Sequence, residues 1–342
     1  MLEPQRFGKV VAMASPSLNT EAEKARPEQV DSGEIPLYRF WQPRYWPLWL
    51  SLLVLRMLAL LPFRHQLPVG RLLGRLAFRV MRKRRRIAAV NLSLCFPELD
   101  KDARDELLVK HFESLGIGLF DLGMSWWASD DRLAELIHID GLENLLRPLK
   151  DGHGVVILSG HFAAVELTGR IVREKIGEVG VMYRPSRNPF VEQLLLRGRN
   201  RAASLLIPKD SLRQMLRALK QGVPIWYAPD QSYNRKYHAL VPFFGEPAMT
   251  NAALTHIARM TDSRVVPYFP RRLENGSGYY GEFLPALENF PSSDPAADAL
   301  RINQLLEEKI RLAPEQYYWI HRRFKNRPAP HPDPYANHPD ET

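Results

Sequence analysis

Beyond residue 100 the apolar positions fall into short β-branched and aliphatic runs, each followed by a segment with helical spacing. G-V-V-I-L-S at 154–159, V-G-V-M-Y at 179–183, V-P-I-W-Y-A at 223–228 and R-V-V-P-Y-F at 264–269 read as strands buried on both faces. Helical spacing predicts helices over 163–175, 189–203, 211–221, 250–261 and 297–312. Asp100 is placed to cap a further helix running through L-L-V-K-H-F-E-S-L-G-I-G-L-F-D-L. Strands and helices alternating at this interval predict one α/β domain, with a mostly buried central sheet flanked by helices, over residues 91–328.

The first ninety residues follow another pattern. Residues 1–35 are polar, rich in Glu, Pro and Ser, and lack apolar periodicity, which predicts a disordered extension. Residues 36–90 hold two hydrophobic features. Tyr45 to Phe63 form a 19-residue apolar run between Arg44 and Arg64, about 28 Å long as a helix. Trp41, Tyr45, Trp46 and Trp49 crowd one end, as interfacial aromatics do. Arg56 near its middle opposes insertion by roughly 2.5–3.5 kcal/mol. No small-residue cleavage site follows, so the run is expected to be an N-terminal membrane-anchoring helix, spanning or embedded, and not a removed signal. In the next segment, Arg71, Arg75 and Arg79 recur every four residues beside Leu72, Leu73, Leu76, Ala77 and Val80, the pattern of a basic amphipathic helix lying in a membrane interface. Residues 329–342 are Pro- and His-rich and are expected to form a flexible tail.

Charge placement sharpens this. Residues 1–90 hold 16 Lys/Arg against 6 Asp/Glu, whereas the rest of the chain holds 31 against 32. No acidic residue lies between Glu34 and Glu98, while twelve Arg/Lys do, five of them consecutive at Arg82–Arg86. Such a field suits an anionic surface. No RNA-binding motif or zinc-finger spacing accompanies it, so an anionic membrane surface is favoured over nucleic acid. If the anchor spans, the larger cluster after it puts the C-terminal domain in the cytoplasm. The one cysteine, Cys95, sits in an apolar run and reads as a buried thiol in a reducing compartment.

The candidate chemistry gathers where strands end. The strand at 154–159 runs into Gly160 and His161, with Glu166 five residues later. Five helical steps leave the two roughly 140° apart, so they share no helical face. They can meet if His161 lies in the strand-to-helix turn and Glu166 reaches back from the first turns, one imidazole nitrogen held and the other free as a base. Arg184 in Y-R-P, Asp230 and Gln231 in W-Y-A-P-D-Q, and Arg271 beside Arg272 in V-P-Y-F-P-R-R also follow predicted strands, the end where open α/β sheets gather their sites. Arg184 offers a fork for phosphate or carboxylate, Asp230 can orient a donor or accept from a sugar, and Arg271 or Arg272 can bind phosphate. The aromatics of V-P-F-F-G suit an acyl groove or an ordinary core equally. No Cys/His ligand cluster is present, and no metal or redox cofactor is expected.

These blocks carry a resemblance. R-R-R-I-A-A-V-N-L-S-L-C-F-P-E (84–98), L-S-G-H-F-A-A-V-E (158–166), Y-R-P (183–185), W-Y-A-P-D-Q (226–231), V-P-F-F-G-E-P-A-M-T (241–250) and P-E-Q-Y-Y-W-I-H-R-R-F-K-N-R-P (314–328) occur in order. Over roughly residues 40–328 the chain resembles the bacterial late acyltransferases of lipid A biosynthesis, the lauroyl/myristoyl transferase family. The resemblance implies a glycerolipid-acyltransferase-like fold acting on the cytoplasmic face of the inner membrane. It implies acyl carrier protein as donor and, as acceptor, the 3-hydroxyl of an acyl chain on a lipid A precursor. It maps the catalytic pair to His161 and Glu166 and substrate binding to Arg184, Asp230, Gln231 and Arg271. The extension at 1–35 departs from the family pattern. An acyltransferase for another membrane glycolipid or lysophospholipid, and a catalytically silent membrane scaffold, are the alternatives.

Overall fold

The structure, a computed structural model, describes residues 35–336. The extension expected over 1–35 lies, but for its last residue, outside the described residues, as does the end of the tail. Along the chain run α1 (Trp46–Ala59), α2 (Phe63–Val80), α3 (Arg82–Cys95), α4 (Lys101–Trp127), α5 (Asp130–Leu136), β1 (Ile137–Asp140) and α6 (Leu142–Lys150). Then come β2 (Val155–Leu158), α7 (Val165–Ile176), β3 (Gly180–Tyr183), α8 (Pro189–Arg199), β4 (Leu205–Pro208), α9 (Leu212–Lys220) and β5 (Ile225–Tyr227). A hairpin of β6 (His238–Phe243) and β7 (Glu246–Asn251) follows, then α10 (Ala253–Thr261), β8 (Arg264–Arg272), β9 (Tyr279–Phe283) and α11 (Pro295–Leu312).

Seven strands form one sheet in the order β1-β9-β8-β2-β5-β3-β4. All neighbours are parallel except β8 and β9, which are antiparallel. The α/β class and the mostly parallel, helix-flanked sheet agree with the reading from hydrophobic pattern. β2 lies at the centre with all four residues buried. Its alternate side chains feed two cores. Val155 and Ile157 join Leu145 of α6 and Val172 of α7 on one face. Val156 and Leu158 join Met215 of α9, Ile257 of α10 and Leu306 of α11 on the other. Cys95 is a buried free thiol in that second core, and burial raises its pKa well above the ordinary thiol range. Phe243 and Phe244, at the β6–β7 turn, are buried there too, so they serve the core.

The 19-residue apolar run does not become one long helix. α1 stops at Ala59, the chain turns through Leu60–Pro62, and α2 begins at Phe63. At 14 residues α1 is about 21 Å long. Among the described residues no helix is long and apolar enough to cross a membrane. The aromatic end also packs against protein: Tyr45 and Phe40 are buried on Phe190 of α8, and the Trp49 ring packs against Phe190 at a tilt. Of the two forms expected for the anchor, the spanning one is not formed among the described residues: the run folds as α1, a turn and the start of α2, and both helices pack against α4.

α2 is held by small residues. A Cβ on Gly74 would lie 2.2 Å from the Phe112 carbonyl oxygen of α4, and one on Gly116 would lie 2.1 Å from the Gly70 carbonyl oxygen. The two backbones approach so closely that only hydrogen fits at the crossing. α4 starts at the expected cap, with the Asp100 carboxylate accepting from Ala103 N–H at 2.8 Å. At the C-terminal side Tyr335 is buried, and its hydroxyl donates to Asn91 of α3, so the first part of the expected tail is docked.

Candidate active site

β2 ends at Leu158, and Ser159 N–H still bonds the Tyr227 carbonyl of β5 at 3.0 Å. Gly160 follows with no side chain to separate the turn from its neighbours. A Cβ there would lie 2.9 Å from Leu306 and from Phe162, and 3.3 Å from an Asp230 carboxylate oxygen. His161 therefore emerges at the carboxyl end of the central strand, directly against the segment that follows β5. The next residues pair with the C-terminal segment: Phe162 bridges to Tyr317, Ala163 N–H bonds the Gln316 carbonyl, and Tyr318 N–H bonds the His161 carbonyl.

Asp230 closes the pair. Its two carboxylate oxygens take the His161 ring at Nδ1, 2.6 Å away, and the His161 backbone N–H, 2.8 Å away. The Asp230 side chain is 1% exposed, whereas that of His161 is 42% exposed. Burial opposes ionisation of Asp230, but the charge of His161 and the hydrogen bonds from its ring and backbone outweigh it and bring the carboxyl down to about 2. Burial likewise disfavours a charged His161, and the Asp230 charge and hydrogen bond overcome it, leaving the imidazole above its ordinary value. An ionised Asp230 fixes the proton on Nδ1, so Nε2 presents its lone pair toward the open side. A half-exposed imidazole with one nitrogen anchored and the other free can take a proton from a hydroxyl.

The expected contact between Glu166 and His161 is not formed. Glu166 sits in the first turn of α7, where one carboxylate oxygen accepts from Nε and Nη2 of Arg199, both at 3.2 Å. The physical reason is the position of the turn. His161 precedes α7 by four residues and faces the β5 end, so Asp230, 69 positions away in sequence, reaches Nδ1 instead. Asp230 in turn is too buried to be the sugar-binding group that its position suggested. Gln231 lines the small cavity beside His161, together with Tyr318, Trp319 and His321. Arg184 is exposed after β3 and has no partner among the described residues. Arg271 lies half-buried with its guanidinium 4.7 Å from the Tyr280 ring centre. Arg272 is a core residue, paired to Asp121 at 2.6 Å, with Tyr279 donating to the same carboxylate.

Reading by motif missed the groups behind the pair. Asn91, Tyr317, His321 and Arg323 contact the Asp230 side of the site from α3 and the C-terminal segment. The available signal was the P-E-Q-Y-Y-W-I-H-R-R-F block, dense in aromatic and polar residues where a plain core would be aliphatic.

Comparison with known proteins identifies the family. The family model described as "Bacterial lipid A biosynthesis acyltransferase" matches residues 37–326. The lipid A biosynthesis lauroyltransferase of Escherichia coli K12 is 38% identical over 294 residues, 86% of this chain and 96% of that protein. The palmitoleoyltransferase of the same organism is 36% identical, covering 85% and 94%. A Haemophilus influenzae lipid A biosynthesis acyltransferase is 35% identical, covering 84% and 93%. Among solved structures, the 1-acyl-sn-glycerophosphate acyltransferase of Thermotoga maritima aligns over 71% of this chain and 97% of its own, at a TM-score of 0.34 and 12% identity. With the family match extending over residues 37–326, and with relatives well above 30% identity along nearly their whole length, this chain belongs to the bacterial lipid A biosynthesis acyltransferase family and is an acyltransferase.

Proposed function

We propose that this enzyme transfers a fatty acyl chain from acyl carrier protein to the 3-hydroxyl of an acyl chain on a lipid A precursor. The observation that carries the reading is the half-exposed His161 ring, anchored at Nδ1 by buried Asp230 and free at Nε2. His161 Nε2 takes the hydroxyl proton, and the imidazolium that forms is stabilised by Asp230. The hydroxyl oxygen attacks the thioester carbon, the carbon–sulfur bond breaks, and the imidazolium returns the proton to the departing thiolate. Glu166 acts one step removed, through its ion pair with Arg199, and Arg184, Gln231 and Arg271 bind the acceptor.

The enzyme works at the cytoplasmic face of the inner membrane, resting on its surface. Support comes from the exposed apolar side chains of α1, the turn after it and α2: Leu50, Leu53, Val54 and Met57, then Leu60, then Leu72, Leu76 and Val80. Exposed Arg71, Arg75 and Arg79 run beside the last three at the same four-residue interval, as an anionic interface favours.

The test offers purified enzyme acyl-loaded carrier protein and a tetra-acylated lipid A precursor, and reads the product by mass. Gain of one acyl chain by wild type, and not by His161→Ala, supports the reading. Transfer by His161→Ala at the wild-type rate, or transfer only to a different glycolipid or a lysophospholipid, overturns it. For the surface, Leu53→Glu with Leu72→Glu is expected to lose sedimentation with anionic vesicles. Unchanged sedimentation removes that face from the proposal.

A further inference from the structure

We infer that His321 is a positioning residue for acyl transfer: from the C-terminal segment it holds the loop after β5 and so sets the Asp230 carboxylate against the His161 ring. This inference rests on the general-base reading above. The loop 228–232 has no regular structure of its own, yet it must deliver a charged, buried carboxylate to within a few tenths of an ångström. Three contacts do that work, all from residues 317–325. Tyr317 Oη approaches the Asp230 carbonyl at 3.5 Å, Ser232 Oγ donates to the Lys325 carbonyl at 3.0 Å, and Ser232 N–H donates to His321 Nε2 at 3.3 Å.

The third contact selects the residue type. A backbone N–H needs an acceptor, so His321 must be neutral with its proton on Nδ1. The surroundings enforce this. Burial disfavours the cation first, and the nearby charge of Lys325 adds to it; Asp230 opposes, while His161 and Arg323 reinforce the effect, and the ring is pushed down to about 4. Above about pH 5 the acceptor lone pair therefore persists.

The clamp is itself anchored. Asn91 of α3, fully buried, donates through Nδ2 to the Trp319 carbonyl at 2.6 Å and the His321 carbonyl at 2.7 Å. Its Oδ1 accepts from the Tyr335 hydroxyl, and Arg84 donates to the Ile320 carbonyl at 3.2 Å. The three carbonyls of the 319–321 segment are thus held from α3, and Tyr335 of the docked tail holds Asn91 in turn. His321 also lines the same small cavity as His161 and Gln231, so a displacement of its ring is felt at the reacting imidazole.

The experiment compares His321→Ala and His321→Gln with wild type in three measurements: thermal stability, the pH profile of kcat/KM, and the titration of the His161 ring followed by NMR in the resting enzyme. Gln keeps an oxygen acceptor for the Ser232 N–H and Ala does not. His321→Ala is expected to lose about 10- to 100-fold in kcat, with KM changed by less than about threefold, as a displaced catalytic group does. Its His161 titration and the acid limb of the profile should both move to lower pH, because a misplaced Asp230 no longer favours the imidazolium. His321→Gln is expected to recover both toward wild type. The clamp is overturned if His321→Ala leaves the NMR titration and the acid limb in place, or if KM rises at constant kcat, which marks a substrate contact. It is also overturned if Gln fares no better than Ala while both remain folded. The NMR titration needs no turnover, so failure of the clamp stays distinct from failure of the general-base reading, which His161→Ala decides. If the Ala variant does not fold, His321→Gln against His321→Lys, which cannot accept, gives the same comparison.

Discussion

Replacing Asp230 by Asn tests the orientation of the base with almost no change in shape. Both carboxylate oxygens now accept, one from the His161 ring at 2.6 Å and the other from the His161 backbone N–H at 2.8 Å. An amide offers a single oxygen. The backbone N–H cannot release its proton, so the amide oxygen settles there and the amide NH2 faces Nδ1. That nitrogen must then accept, the proton moves to Nε2, and the base is lost to the wrong tautomer. Oriented general-base catalysis supplies about 100- to 10,000-fold in rate, or about 3–5 kcal/mol of barrier. Asp230→Asn is therefore expected to lower kcat by that range with little change in KM. Its residual activity should have an acid limb at lower pH, since the carboxylate that raises the His161 pKa is gone. Glu166→Gln, which alters only the contact to Arg199, is expected to cost far less. The assay is steady-state acyl transfer across a pH series, with circular dichroism as the check on folding. A kcat for Asp230→Asn within about threefold of wild type would refute the reasoning. So would a Glu166→Gln defect as large as that of Asp230→Asn, which would restore Glu166 as the partner of His161.

Three further outcomes follow from the packing and the buried charges. Asp121→Ala strands the Arg272 guanidinium in the interior and removes the acceptor for Tyr279; a loss of about 3–5 kcal/mol in denaturant unfolding is expected, and a loss under 1 kcal/mol would show that the pair contributes little. Gly116→Ala forces a methyl into the α2–α4 crossing and should destabilise by about 1–3 kcal/mol or more, while Gly118→Ala on the same helix, where a Cβ meets nothing within 4 Å, should be neutral or stabilising; equal melting temperatures for the two would refute the crossing argument. His111 and His321 are both held near 4 by burial, so the unfolded chain takes up protons first as pH falls below about 6.5 and stability drops from there toward pH 4. Asp230, held near 2, adds a loss as pH falls from about 4 toward 2. Thermal melts over this range should show the fall, and His111→Gln should flatten its upper part; identical wild-type and variant curves would refute the assignment.

Much of the fold was legible from local pattern. The strands that became β2, β3, β5 and β8 are continuous apolar runs, and runs of that kind are buried on both faces wherever helices cover a parallel sheet. The helices expected at 163–175, 189–203, 211–221, 250–261 and 297–312 formed as α7 to α11 within a few residues at each end, because their apolar faces repeat at helical spacing. β1, β4, β9 and the β6–β7 hairpin were not legible. β1 and β4 sit at the sheet edges, where one side of the strand lacks a neighbour, and β6 and β7 form a separate two-stranded sheet with polar and apolar residues mixed. The apolar run at Tyr45–Phe63 has the hydropathy of an anchor, yet Phe190, far along the chain, supplies the surface on which its aromatic end packs.

The site divides in the same way. Sequence by itself placed His161 at the end of a central strand and gathered Arg184, Asp230, Gln231 and Arg271 at the same edge, because strand ends in a parallel sheet share one side. It could not choose the partner of the histidine. Glu166 is near in the chain, but proximity along a helix is governed by rotation, and the start of α7 turns its carboxylate toward Arg199. Asp230 is distant in the chain, but β5 is hydrogen-bonded to β2, so the segments leaving both strands emerge side by side. Pairing across the sheet, which only the tertiary structure decides, brings a buried carboxylate to Nδ1 and leaves Nε2 for the reaction.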